Sequence, residues 1–290
     1  MSEFLIVTDS AADLSAEMVA ELGVEVYPLS FTIQGKTMHN YPDNRDMDPK
    51  AFYALLRGGE TATTAAVNVS DYTTGLEPVL AGGTDVLILA FSSGLSATYQ
   101  SACIAADELR EKFPERKIYV VDTLCASLGE GLIVWHAVQQ KKAGKSIEEV
   151  RDWVEDNKLS LCHWFTVDDL HFLKRGGRVS AATAVVGSML QIKPVMHVDD
   201  EGHLINMAKA RGRSASLKAL VDHMQETAID PGEQVVFISH GDCEEEAMQV
   251  AEDVKRRFGT KVVRLNNVGP VVGGHSGPGT MALFFLGTKR

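Results

Sequence analysis

The residues best suited to chemistry gather near the C-terminal end. Asn267 to Thr280 reads Asn-Val-Gly-Pro-Val-Val-Gly-Gly-His-Ser-Gly-Pro-Gly-Thr, one histidine among five glycines and two prolines. Glycine permits positive φ and close approach of the backbone, and proline sets φ near about −65°. Such a loop, with His275 as an added donor, suits an anionic oxygen. The same residues also suit a tight turn before a last strand, Met281 to Leu286, with His275 in solvent. Hydroxyls supply further anion-binding chemistry. Asp9-Ser10 and Ser92-Ser93-Gly94-Leu95-Ser96 each follow an apolar run of strand length, and Thr61-Ala62-Thr63-Thr64 lies in an expected loop before Val67. Small hydroxyls beside helix N-termini can hold a carboxylate or phosphate oxygen, although they are equally ordinary helix caps. Two arginine clusters complete the set, Lys174-Arg175-Gly176-Gly177-Arg178 and Lys209-Ala210-Arg211-Gly212-Arg213. Their guanidinium forks suit carboxylate or phosphate, or else surface ion pairs.

Other chemistry is missing its signature. There is no G-x-S-x-G elbow, Walker A loop, dinucleotide fingerprint or H-E-x-x-H, so no cofactor is implied. Asp168, Asp169 and His171 form a short acidic cluster that fits a helix cap better than a metal site. The cysteines Cys103, Cys125, Cys162 and Cys243 are far apart, without Cys-x-x-Cys spacing. They read as free thiols in a reducing cytoplasm, since the first residues carry neither a basic segment nor a long apolar one. No window approaches the roughly 18 apolar residues of a membrane span. A net charge of −11 argues against a nucleic-acid surface.

These residues must be positioned by elements, and the apolar periodicity supplies them. Strands are expected at Phe4–Thr8, Val24–Leu29, Val86–Phe91 and Ile118–Val121, with a hairpin around Gln34-Gly35. Helices are expected at Ser15–Leu22, from Asp48 to Leu56, from Ser70 to Gly82, and at Ala97–Lys112, Leu128–Lys142 and Ser146–Asn157. Strands alternating with helices imply a parallel sheet. In open parallel sheets the ligand crevice lies at the carboxyl ends of the strands, where the hydroxyl loops would fall. Beyond Leu161 the pattern changes. Strand Leu161–Val167 is followed by a short helix from Asp168-Asp169 to Gly176-Gly177 and a small-residue helix at 181–190. A hairpin turns at Asp199-Asp200-Glu201-Gly202. Helix Ser214–Thr227, strand Val235–Ser239, helix Glu244–Phe258 and strand Val262–Leu265 precede the glycine loop. With 290 residues, 45% apolar and 23% charged, the chain suffices for two domains. The expectation is an α/β domain over 1–160 with a parallel sheet, and an α+β domain over 161–290.

The chain resembles the DegV family of bacterial fatty-acid-binding proteins, which includes the binding subunits of fatty acid kinase. The likeness runs through Ile6-Val7-Thr8-Asp9-Ser10-Ala11-Ala12-Asp13-Leu14, Thr63-Thr64, Ser92 to Thr98, Val121-Asp122-Thr123 and Leu173 to Arg178. It closes with Gly269 to His275 and Gly277-Pro278-Gly279. The resemblance implies one long-chain fatty acid buried between two domains, its carboxylate presented to a partner kinase, and no catalysis by the chain itself. Thr64 and Ser93 match residues that hydrogen-bond the carboxylate, with Thr63 and Ser96 as neighbouring hydroxyls. Arg178, Arg211 and His275 match residues near the acyl-phosphate and the kinase. One departure falls at Thr64-Ala65-Ala66-Val67-Asn68, where the family often has Thr-Ser-Gln-Pro-Ser. The residues alone also admit a hydrolase or acyltransferase, with Ser93 as nucleophile and His275 as base.

Overall fold

The computed structural model describes residues 4–180 and 191–290. The helix expected at 181–190 lies outside them. Strand β1 (Phe4–Asp9) ends in a 3₁₀ turn, Ser10–Ala12, and helix α1 (Ala16–Leu22) leads to β2 (Glu25–Tyr27). A hairpin of β3 (Ser30–Ile33) and β4 (Lys36–His39) precedes α2 (Pro49–Arg57), β5 (Ala62–Ala65) and α3 (Val69–Ala81). Then β6 (Asp85–Ala90), α4 (Thr98–Lys112), β7 (Ile118–Asp122), α5 (Leu128–Lys142) and α6 (Ile147–Asn157) complete the first half. The second half runs β8 (Leu161–Thr166), α7 (Leu170–Arg175), β9 (Ile192–Val198), β10 (Leu204–Arg211) and α8 (Arg213–Thr227). It ends with β11 (Val235–His240), α9 (Glu244–Phe258), β12 (Val262–Asn267), α10 (Pro270–Ser276) and β13 (Met281–Leu286).

Four parallel strands lie in the order β2-β1-β6-β7, with Val7 opposite Glu25 and Ile6 opposite Leu87. Strand β6 is buried along its whole length, as its apolar run Val86 to Ala90, covered on both faces, should be. The second sheet has the order β10-β9-β8-β13-β11-β12 and is antiparallel except between β11 and β12. The chain is therefore mixed α/β, a parallel sheet followed by a second sheet-rich domain. Helix α5 packs against strands of both sheets, and Leu128 to Val134 are all buried, so its apolar residues meet a core on every side.

Several local expectations met different structure. Val24–Leu29 is interrupted at Pro28, so β2 ends at Tyr27 and Leu29 leads into β3. Helix α3 begins at Val69 because Asn68 caps it, accepting from the Asp71 N–H at 2.8 Å. Thr61 to Thr64 was expected in a loop, but Ala62–Ala65 forms β5, antiparallel to β3 with Thr64 opposite Phe31. The glycine segment is the larger correction. Gly269 is extended and Pro270 opens the seven-residue helix α10. Pro tolerates this position because its missing N–H would be unpaired there anyway. Gly273 is needed for closeness: a Cβ there would overlap the Tyr53 hydroxyl, which donates to the Val268 carbonyl at 2.8 Å. Positive φ comes only afterwards, at Gly277 and Gly279.

Candidate functional site

An apolar cavity of about 250 Å³ lies between the two halves of the chain. The first half lines it with Leu29, Thr64, Phe91, Leu95, Ser96 and Ser127, the second with Phe165, Leu173, Arg178, Leu204, Ser239 and Phe284. Helix α10 lies along it, contributing Val271, Val272, His275 and Ser276. At 1.5 Å rise per residue, Gly269 and His275 stand about 9 Å apart along that helix.

Polar groups cluster at its C-terminal end through a continuous set of contacts. Thr64 Oγ1 lies 2.7 Å from His275 Nε2. The imidazole packs against Gly176, where a Cβ would collide with Nδ1. Arg178 follows, donating from Nη1 to the Gly176 carbonyl at 2.5 Å and from Nε and Nη2 to the Leu95 carbonyl at 3.2 and 3.0 Å. Ser96, next in the chain, pairs with Thr98 Oγ1 at 2.9 Å. The Ser92 loop is itself held by the second domain, because Ser92 Oγ donates to the Gly202 carbonyl of the β9–β10 turn at 2.9 Å.

The electrostatics follow from burial. Desolvation, and then the neighbouring Arg178 and Arg175 charges, push His275 down to about 4, so it is neutral at pH 7. Half-burial lowers the Arg178 guanidinium from its usual range as well. Among the described residues Arg178 has carbonyl partners and no ion pair. This is a fixed cation at an apolar cavity, beside a neutral imidazole–hydroxyl pair.

A second polar group sits behind the other end of α10. Asp13 Oδ1 accepts from the Gly269 N–H at 2.9 Å and Oδ2 from Ser127 Oγ at 2.5 Å, while Ser127 Oγ also lies 2.9 Å from Ser239 Oγ. Asp13 is raised to about 7, chiefly by desolvation and also by Asp9. Asp9 is raised to about 6 and Glu130 well above the carboxylate range, again by burial. Sequence reading assigned Asp13 and Glu130 no role. The aspartates lay within the motifs that carry the family likeness, but nothing in their spacing marked a buried carboxyl cluster.

Thr64, Ser96, Arg178 and His275 thus meet at one cavity. Thr63, Ser93 and Arg211 are exposed and outside its lining. The Ser93 N–H donates to Asp122 Oδ1 at 3.2 Å, and Ser10 Oγ accepts from the Leu29 N–H at 2.9 Å. His275 Nε2 is engaged by Thr64 rather than by Ser93. Asp169 caps α7 by accepting from the His171 N–H. All four cysteines are free, and no helix among the described residues is long and apolar enough to cross a membrane.

Residues 3–288 match the family model described as "Uncharacterised protein, DegV family". The chain belongs to the DegV family. A DegV domain-containing protein of Clostridium perfringens is 47% identical over 292 residues, covering 100% of this chain and 99% of that one. Among solved structures, a DegV family protein from Thermus thermophilus, described for its fatty acid binding, superposes with a TM-score of 0.85 at 30% identity, covering 97% and 98% of the two chains. The Fatty Acid Kinase (Fak) B3 protein of Streptococcus pneumoniae, loaded with linoleic acid, shares the fold at TM-score 0.84 and 19% identity, with 98% and 99% covered.

Proposed function

We propose that this DegV protein binds one long-chain fatty acid in the cavity between its domains and presents the carboxylate to a partner kinase. The observation that carries the reading is an apolar cavity with a cation, Arg178, that has no ion pair among the described residues, and the Thr64–His275 pair at one end. The tail's burial stabilises the complex by roughly 0.8 kcal/mol per methylene. At the head group, with neutral His275 as the Nε2 tautomer donating to Thr64 Oγ1, the Thr64 hydroxyl proton is left for the carboxylate, and Arg178 supplies positive charge. Ser96 borders the same end. Fatty acid binding described for the Thermus thermophilus relative supports the ligand class.

The kinase step rests on the shared fold with the Fak B3 protein. In this reading the protein acts in the cytoplasm as carrier, not catalyst. Thr63, Ser93 and the exposed Arg211 face outward, where a partner would meet the head group. The test is paired. Delipidated protein should take up one fatty acid per chain by calorimetry. Thr64→Val should weaken uptake by about tenfold or more, as loss of a hydrogen bond to a charged group implies. Arg211→Ala should spare uptake while slowing acyl-phosphate formation by an added fatty acid kinase. No uptake by the wild-type protein would end the proposal.

A further inference from the structure

Among the described residues, each serine and threonine that lines the cavity has a hydrogen-bond partner within the protein, with one exception. Thr64 is bonded to His275, Ser96 to Thr98, Ser127 to Asp13 and Ser239, and Thr280 Oγ1 to the Gly277 carbonyl at 2.7 Å. Ser276 is only 5% exposed and lines the cavity, yet its Oγ has no hydrogen-bond partner among the described residues. A buried hydroxyl without a partner is costly, so its retention at a ligand cavity points to the ligand. Its position narrows the partner. Ser276 follows His275 on α10 and stands one helical turn after Val272, which also faces the cavity. A carboxylate presents roughly four acceptor sites on two oxygens. Thr64 can offer one donor, and the Arg178 N–H groups already bond to the Leu95 and Gly176 carbonyls. The head group therefore has more acceptors than these residues fill.

We infer that Ser276 donates a second hydrogen bond to the bound carboxylate and so selects for an ionised head group. The inference rests on the fatty-acid reading above and is tested separately from it. Wild-type, Ser276→Ala and Ser276→Cys proteins are delipidated, then titrated with a fatty acid and with the fatty alcohol of equal chain length. Ser276→Ala should lose about tenfold or more in affinity for the acid and less for the alcohol, since bonds to charged groups are the stronger. Ser276→Cys, keeping a weak donor, should fall between. The empty Ser276→Ala protein should melt no lower than wild type, because an unpaired buried hydroxyl has been removed. Unchanged acid affinity, equal losses for acid and alcohol, or a lower melting temperature with affinities intact would each overturn the assignment. Failure of the wild-type protein to bind either ligand would instead remove the fatty-acid reading itself.

Discussion

Asp13 joins three elements through its side chain and its main-chain carbonyl. It receives the Gly269 N–H at the start of α10 and the Ser127 hydroxyl at the start of α5, and its own carbonyl accepts from Asn266 Nδ2 at 2.7 Å. Its carboxyl is raised to about 7 from an ordinary 3.8. A raised carboxyl contributes stability that is fully present below about pH 3.8 and lost as pH rises through about 7. Asp13→Asn should therefore compare more favourably with wild type at pH 8 than at pH 5, measured by urea denaturation at both values. An identical difference at both pH values would mean that Asp13 titrates normally. His275 has the opposite sign. Lowered from 6.5 to about 4, it contributes stability that is present above 6.5 and lost as pH falls through about 4. His275→Gln should accordingly lessen the loss of stability between pH 6.5 and pH 4. A wild-type acid slope in that variant would contradict the burial argument.

At the scale of elements, α10 determines the site, and its glycines decide where it sits. Gly273 lets the helix approach α2 at Tyr53, and Gly176 lets α7 close against the His275 ring. Gly273→Ala introduces a methyl into a packed contact with the Tyr53 hydroxyl. Overpacking of this kind costs about 1–3 kcal/mol, to be read from chemical denaturation. Because α10 carries His275 and Ser276, the same variant should also weaken fatty-acid binding. A stable Gly273→Ala protein with unchanged affinity would show that the approach of α10 to α2 does not position the head group.

For the whole molecule, the cavity exists only where the two halves meet. The halves are joined by Ser92 with Gly202, by Asp13 with Gly269, and by ion pairs of Arg57 with Asp242 and Arg264 with Glu21. The exposed ion pairs contribute little, with a usual range of about 0–1 kcal/mol. A ligand between the halves adds stability by mass action, about 2.7 kcal/mol at a hundredfold excess over its Kd. Fatty acid added to delipidated protein should therefore raise the melting temperature, and calorimetric scanning would show it. If saturating fatty acid left that temperature unchanged, the cavity would not be its site.

What the sequence determined by itself was order and type. Continuous apolar runs such as Val86 to Ala90 and the helix-period run from Leu128 to Val138 require burial wherever they are placed, so the α/β first half and mixed second half were legible. Helix starts at Asp48 and Ser146 were legible too, since the caps that these residues form are settled within a few residues. Tertiary structure alone decided the rest. The glycines around His275 read as a loop because sequence does not distinguish a glycine needed for positive φ from one needed for close contact, and Gly273 serves the second need. Thr64 rather than Thr63 faces the cavity because pairing of β5 with β3 sets which side chains point inward, and a one-residue change of register reverses it. The raised carboxyls and the Ser276 hydroxyl, without a partner among the described residues, are likewise products of burial. Burial depends on what the distant parts of the chain bring against each group, which no local pattern encodes.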